Sequence, residues 1–200
     1  TVDPETTRGN AAAAAAQGVG YLDAPVLGRP RGVGRWTLPV GGGEAELRRA
    51  APVLRTVASK IIHVGPPGQG NAVKLLNNLR FGAINAATCE MFAVSDQVGL
   101  DRRLLYDTIV DSGAATVSNL FRELGPKIIE GDYEPLFSVD NLEKDIGLGL
   151  AMARSAGLTL EVGEAGQRLN RQAQQAGHGA EDTSSIVQVA GGRPADGAPA

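Results

Sequence analysis

The spacing of apolar positions changes once along this chain. Up to residue 67, short apolar runs alternate with helical stretches; beyond Gly68 the spacing is helical almost to the end. In the first part, Asp3-Pro4 reads as an N-cap followed by proline at the first helical position, which predicts a helix over 4 to about 17. Residues 21–26 are predicted as a short strand, 28–34 as a basic glycine-rich loop, and 36–40 as a second strand closed by the glycines at 41–43. Leu47, Ala50, Ala51, Leu54, Val57 and Ala58 recur at helical spacing over 44–58, with Pro52 as a kink or first-turn residue. Residues 61–64 form a third apolar strand, ended by Gly65-Pro66-Pro67. After Gly68 the pattern predicts a long helix over 71–98, and Asp101 caps another that reaches 111. A helix over 117–130 is expected to break at Gly125-Pro126, and a turn follows at 131–135. Helices over 140–156 and 162–176, ended by Gly157 and Gly177, precede a short last helix over 182–189. The tail 190–200 is too poor in apolar bulk to order itself.

The order is therefore helix, strand, strand, helix, strand, and then helices alone: α/β followed by all-α. Three short strands with two helices are too few for a finished doubly wound domain, so residues 1–67 read as the end of an α/β unit.

Composition narrows the function classes. A formal net charge of −3 and scattered basic residues give no electrostatic reason to expect nucleic acid. No stretch approaches the roughly 18 apolar residues of a membrane span. The alanines at 11–16 lack a basic leader and the apolar bulk of a signal-peptide core. A single cysteine, Cys89, rules out a disulfide within the chain, fits a reducing cytoplasm, and reads as a small buried hydrophobe. Two histidines and one cysteine without paired ligand spacing argue against a metal site. Ser184 and Ser185 lie near His178 but lack a nucleophile-elbow context. The glycines at 41–43 read as a turn and helix start, not a phosphate loop.

The candidate chemistry lies in Gly68-x-Gly70-x-x-x-Lys74-x-x-Asn77-Asn78. Two glycines loosen the backbone, and a helix then presents Lys74 and Asn78 one turn apart on one face. At roughly 100° per residue, Asn85 falls within about 20° of Lys74. A cation and two carboxamides on an otherwise apolar helix face something polar, which we read as a substrate. The plainer alternatives are a snorkelling lysine and a packing carboxamide.

These residues also carry a family resemblance. Thr1, Pro4 with Thr6 or Thr7, Leu22-Asp23-Ala24-Pro25-Val26, Val40-Gly41-Gly42, His63-Val64-Gly65, the Lys74 element, Phe137, Lys144-Asp145 and Gly177-x-Gly179-x-x-Asp182 come in one order. In that order they resemble the β-hydroxyacid dehydrogenases, typified by 3-hydroxyisobutyrate dehydrogenase and tartronate semialdehyde reductase and related to 6-phosphogluconate dehydrogenase. The resemblance covers residues 1 to about 189. It implies the C-terminal portion of an NAD(P)-binding Rossmann domain over 1–67, a long interdomain helix, and a helical substrate and oligomerisation domain over 68–189, with 190–200 a disordered tail.

The resemblance further implies a cytoplasmic, homo-oligomeric oxidoreductase that uses NAD or NADP on a small β-hydroxyacid or related semialdehyde. Lys74 matches the catalytic acid/base and Asn78 the residue that orients lysine and substrate. Phe137 and Asp145 match substrate-pocket residues, Lys144 matches one that approaches the cofactor, and Thr1 matches a threonine on its nicotinamide side. A cationic nicotinamide beside a buried Lys74 would lower the lysine pKa. Asp145 could otherwise pair with Arg154 or Lys144 on a solvated face, and Phe137 could be plain core.

Two departures stand out. The family's Ser-Gly-Gly after Asp-Ala-Pro-Val is Leu27-Gly28-Arg29-Pro30 here, so the Gly28 N–H and the Arg29 guanidinium are the candidates for the substrate anion. The Gly-x-Gly-x-x-Gly loop and its ribose-reading acid are missing, so the chain is expected to be a fragment. The rival readings are an imine or other carbonyl reductase of the same architecture, which Lys74 opposes, and a non-catalytic oligomerising fragment.

Overall fold

The structure, a computed structural model, describes residues 1–192 and divides into two compact units. The first unit holds Thr1–Asn78 and Leu148–Thr159. Its first helix, α1 (Pro4–Ala16), starts where the Asp3 carboxylate accepts the Thr6 N–H at 2.8 Å. Strands β1 (Leu22–Asp23), β2 (Trp36–Gly42) and β3 (Ala58–Gly65) form one sheet in that order. β1 runs antiparallel to β2, β2 runs parallel to β3, and helix α2 (Glu44–Leu54) connects the parallel pair. Leu38, Val40 and Ala58 form the sheet's core, with Leu22, Trp36, Leu47 and Leu54 packed on it.

The sheet differs from its sequence pattern in three places. β1 is only two residues long, because Pro25 has no N–H to give a ladder. β2 runs on into Gly41 and Gly42, which pair with Asp23 and Leu22. A Cβ on Gly42 would meet Leu22 Cδ2 at 2.6 Å and the Tyr21 carbonyl oxygen at 2.8 Å, so the pairing requires glycine there. α2 stops four residues short of its predicted end, and Ala58 instead opens β3 as a buried partner of Trp36. Small apolar residues fit either period, and strand pairing decided this one.

The second unit holds Leu79–Gly147 and the residues from Leu160 on. Helix α3 (Gln69–Gln97, 29 residues) passes from the first unit into it. α4 (Arg102–Asp111), α5 (Asn119–Glu130), α6 (Val139–Ser155) and α7 (Glu161–Gln175) follow, and then 3-10 turns at Thr183–Gln188 and Ala190–Gly192. Cys89, Phe92, Phe121, Leu124, Ile128, Ile186 and Val187 centre its core. The buried Cys89 thiol has its pKa pushed up by desolvation, so it packs as an apolar group. Arg102 grips Asp96 with two bonds of 2.8 and 2.6 Å and donates a third to the Ile128 carbonyl at 3.0 Å, which ties α3, α4 and α5 together.

α5 does not break at Gly125-Pro126. Proline leaves the carbonyl four residues back without its helical donor, and that carbonyl belongs to Arg122. The Tyr106 hydroxyl of α4 donates to it at 3.3 Å. Gly125 makes room for the same ring, since a Cβ there would land on Tyr106. The predicted tail is ordered at its start: Ala190 is fully buried in the second core. Residues 193–200 of that tail lie outside the described residues. No helix among the described residues is long and apolar enough to cross a membrane.

Gly125→Ala should therefore lower stability by about 1–3 kcal/mol, the usual loss for overpacking a filled site, while Gly9→Ala, inside α1 where a Cβ meets nothing, should not lower it. Chemical denaturation of the two variants side by side checks it.

Candidate active site

The start of α3 is fixed by a carboxylate from another element. Asp23, 4% exposed, accepts the Gly68 N–H at 2.9 Å and the Asn71 N–H at 2.8 Å, one on each oxygen. These donors flank the helix's first turn, where N–H groups have no helical partner and the dipole favours an anion. Gly68 has φ +97°, and a Cβ there would lie 3.0 Å from the Pro4 carbonyl oxygen. A Cβ on Gly70 would lie 2.6 Å from the carbonyl oxygens of both Asp23 and Pro39. The two glycines let α3 start against the sheet. The buried Asn71 amide donates to Thr7 Oγ1 at 3.0 Å, and that hydroxyl donates to the Asp3 carbonyl at 3.0 Å, joining α1 to α3.

Lys74 and Asn78 follow on one face of α3, Lys74 half-buried and Asn78 2% exposed. The exposed Asn77 donates its amide to Asn78 Oδ1 at 3.1 Å. Asn85 does not share their role. It is fully buried, its amide donates to the Thr183 carbonyl at 2.9 Å, and it ties α3 to the 3-10 turn within the second unit. The polar group it faces is main chain and not a substrate.

The loop after β1 is tied back to β2. Leu27 and Thr37 exchange both backbone bonds, at 2.9 and 3.2 Å, and the Trp36 indole N–H donates to the Arg29 carbonyl at 2.8 Å. Gly28 lies on the Trp36 ring so closely that a Cβ would sit 2.6 Å from its Cδ1. Gly28 is exposed and Arg29 half-buried. A cavity of about 460 Å³ in this unit is lined by Asp3, Glu5 and Arg8 of the chain start and by Gln69, Leu148 and Met152.

In the second unit, Phe137 is half-buried, with its ring edge-on to Phe81 at 5.6 Å between centroids. Asp145 is 2% exposed, so it does not lie on a solvated face. It pairs with the half-exposed Lys144 at 3.1 Å. Thr1 is exposed. No cluster of three or more metal-ligating side chains occurs among the described residues.

The pyrophosphate end of a dinucleotide finds no cradle at the start of α2. Gly43 is the N-cap of α2, but the Glu46 carboxylate folds over it and would touch a Cβ there. That helix start already holds an anion of its own, so the glycines at 41–43 leave no cradle for a pyrophosphate.

Residues 68–190 match the family model described as NAD-binding of NADP-dependent 3-hydroxyisobutyrate dehydrogenase, and residues 1–65 match that described as the NAD binding domain of 6-phosphogluconate dehydrogenase. The chain belongs to the β-hydroxyacid dehydrogenase family. L-threonate dehydrogenase of Cupriavidus necator is 36% identical over 88% of this chain and 59% of its own length. The 3-sulfolactaldehyde reductase of Escherichia coli is 33% identical over 94% of this chain and 63% of its own. The crystal structure of 3-hydroxyisobutyrate dehydrogenase from Salmonella typhimurium superposes with a TM-score of 0.87 at 31% identity, covering 94% of this chain and 67% of that one. This β-hydroxyacid dehydrogenase chain thus spans about three fifths of the length of the curated relatives it matches.

Sequence reasoning quoted Asp23 and Asp182 as motif letters and missed their work as backbone acceptors. A lone acid inside an apolar strand-like run, with two glycines at a later helix start, was the available signal for Asp23. Thr7 and Asn71 gave no such signal. Asp23→Ala strands two buried N–H donors and should cost about 3 kcal/mol, read by urea unfolding; Asp23→Asn, which keeps one acceptor, should lose less.

Proposed function

We propose that the protein carrying this chain is an NAD(P)-dependent oxidoreductase that interconverts a small β-hydroxyacid and its carbonyl form, with Lys74 as general acid/base. One observation carries the reading above the others. A half-buried lysine stands one turn before a buried asparagine on a helix whose start is locked by a buried carboxylate. Fixed placement is what proton transfer to a reacting oxygen demands.

When bound, the nicotinamide would give or take the hydride. In the reducing direction the Lys74 ammonium hydrogen-bonds the carbonyl oxygen, donates its proton as alkoxide charge develops, and regains one from solvent. In the oxidising direction the neutral amine accepts the hydroxyl proton. Asn78 holds the same oxygen and the lysine in register. Thr1 and Lys144 would contact the cofactor, while Phe137 and Asp145 would line the substrate site. We assign 1–67 to the end of the NAD(P)-binding domain and 68–189 to the helical domain, which would also form a homo-oligomer. A cytoplasmic setting suits the single thiol.

The relatives' names speak of short, anionic hydroxy- or oxo-compounds: threonate, 3-hydroxyisobutyrate, 3-sulfolactaldehyde and 2-(hydroxymethyl)glutarate. This chain has Leu27 where a hydroxyl would serve an anion, so we place that task on the Gly28 N–H and the Arg29 guanidinium. Trp36 anchors the Arg29 backbone, which supports a fixed cation there.

Lys74→Ala in the full-length protein should lower kcat by about 10²–10⁴-fold with cofactor affinity unchanged. Steady-state assays on L-threonate, 3-hydroxyisobutyrate and 3-sulfolactaldehyde check it, and equal activity in variant and parent would refute the assignment. Arg29→Ala should raise KM for the acid about tenfold with kcat nearly constant. An unchanged KM would remove Arg29 from substrate recognition.

A further inference from the structure

The second unit contains a buried carboxylate that the chemistry above does not use. Asp182, 3% exposed, stands where the segment 133–138 meets the 3-10 turn Thr183–Gln188. Its Oδ2 accepts the Leu136 N–H at 2.9 Å and the Phe137 N–H at 3.3 Å. Its Oδ1 accepts the Ser184 N–H at 3.1 Å and the Ser184 hydroxyl at 2.8 Å. The main chain adds three bonds: Asp182 N–H to the Tyr133 carbonyl at 2.9 Å, Thr183 N–H to the Phe137 carbonyl at 3.0 Å, and Val139 N–H to the Glu181 carbonyl at 3.0 Å. Both backbone groups of Phe137 are therefore held by the dipeptide 182–183.

Only a carboxylate can take four donors in this way, two on each oxygen. An asparagine would turn its NH₂ toward the N–H groups of residues 136 and 137, or toward Ser184. The result is a segment without regular structure made rigid at one residue. Its ring then meets Phe81 edge-on, with planes at 82°. Neither Phe81 nor Asp182 has an assigned role in the chemistry.

We infer that Asp182 is a positioning residue for substrate selection: it fixes the backbone at 136–137 so that Phe137 and Phe81 form one aromatic wall against the non-reacting part of the substrate. This rests on Phe137 contacting substrate, as proposed above. Such a wall favours a methyl or methylene group beside the reacting carbinol. It disfavours a charged substituent, which would lose its hydration without gaining a partner.

The test compares Asp182→Asn, Phe137→Leu and their combination in the full-length protein, using 3-hydroxyisobutyrate, or L-threonate if that is the acid turned over. Asp182→Asn should raise KM about tenfold, with kcat within about twofold and the cofactor Kd unchanged. Phe137→Leu should raise KM similarly, and the double variant should be no worse than Phe137→Leu alone, because one acts through the other. Ser184→Ala removes only the hydroxyl bond to Oδ1. It should raise KM about two- to threefold, which keeps the question open to experiment if Asp182→Asn does not fold. If Phe137→Leu leaves KM unchanged, the substrate-site reading itself fails. If Phe137→Leu raises KM while the folded variants at 182 and 184 do not, the inference about Asp182 is overturned. It is overturned equally if the two effects add in full or if cofactor affinity falls in step with KM.

Discussion

A buried aspartate at the head of a helix is the constraint on which the candidate site depends. The Asp23 carboxylate reaches from β1 to the first turn of α3 and takes the Gly68 and Asn71 N–H groups that the helix cannot satisfy internally. A charge so far from water is tolerable because it is doubly hydrogen-bonded and sits at the positive end of the dipole. The glycines around it are steric consequences of that choice. Gly41, Gly68 and Gly70 all stand where a Cβ would meet Asp23, Pro4, Pro39 or Pro66. Lys74 inherits its placement from this junction, since it stands three residues, less than one helical turn, past the capped Asn71 N–H.

The second unit solves a similar problem by the same means. Asp182 organises an irregular segment through its main-chain donors, and Asp101 and Ser118 cap α4 and α5 in the ordinary local way. In both units buried carboxylates work on the backbone. The Lys144–Asp145 pair joins an exposed ammonium to a buried carboxylate.

How much of this could be read from the sequence depends on whether the signal was local. The caps Asp3 and Asp101 and the glycine stops at 157 and 177 marked helix ends to within about two residues, because caps act over a few bonds. Trp36 to Val40 and Ile61 to Val64 were visible as strands, but β2 and β3 both run longer than the apolar residues alone suggested. Gly41 and Gly42 look like a turn until a partner strand pairs with them, and Ala58 looks helical until Trp36 does. Pro126 inside α5 is legible only once Tyr106 of another helix is seen to serve the freed carbonyl. At the site, the i, i+4 placement of Lys74 and Asn78 followed from the pattern, whereas Asn85 shared their face and yet turned to main chain. Periodicity gives direction around a helix; it does not say what stands opposite.

The chain has a single tryptophan, and the fold sets it on the loop that departs most from the family pattern. Trp36 lies under Gly28 and donates its indole N–H to the Arg29 carbonyl, so its ring is part of the loop's scaffold. An indole's emission responds to its hydrogen bond and to the polarity around it. This chain therefore carries an intrinsic optical reporter at that loop, and its fluorescence would follow rearrangement of residues 27–36 with no label introduced.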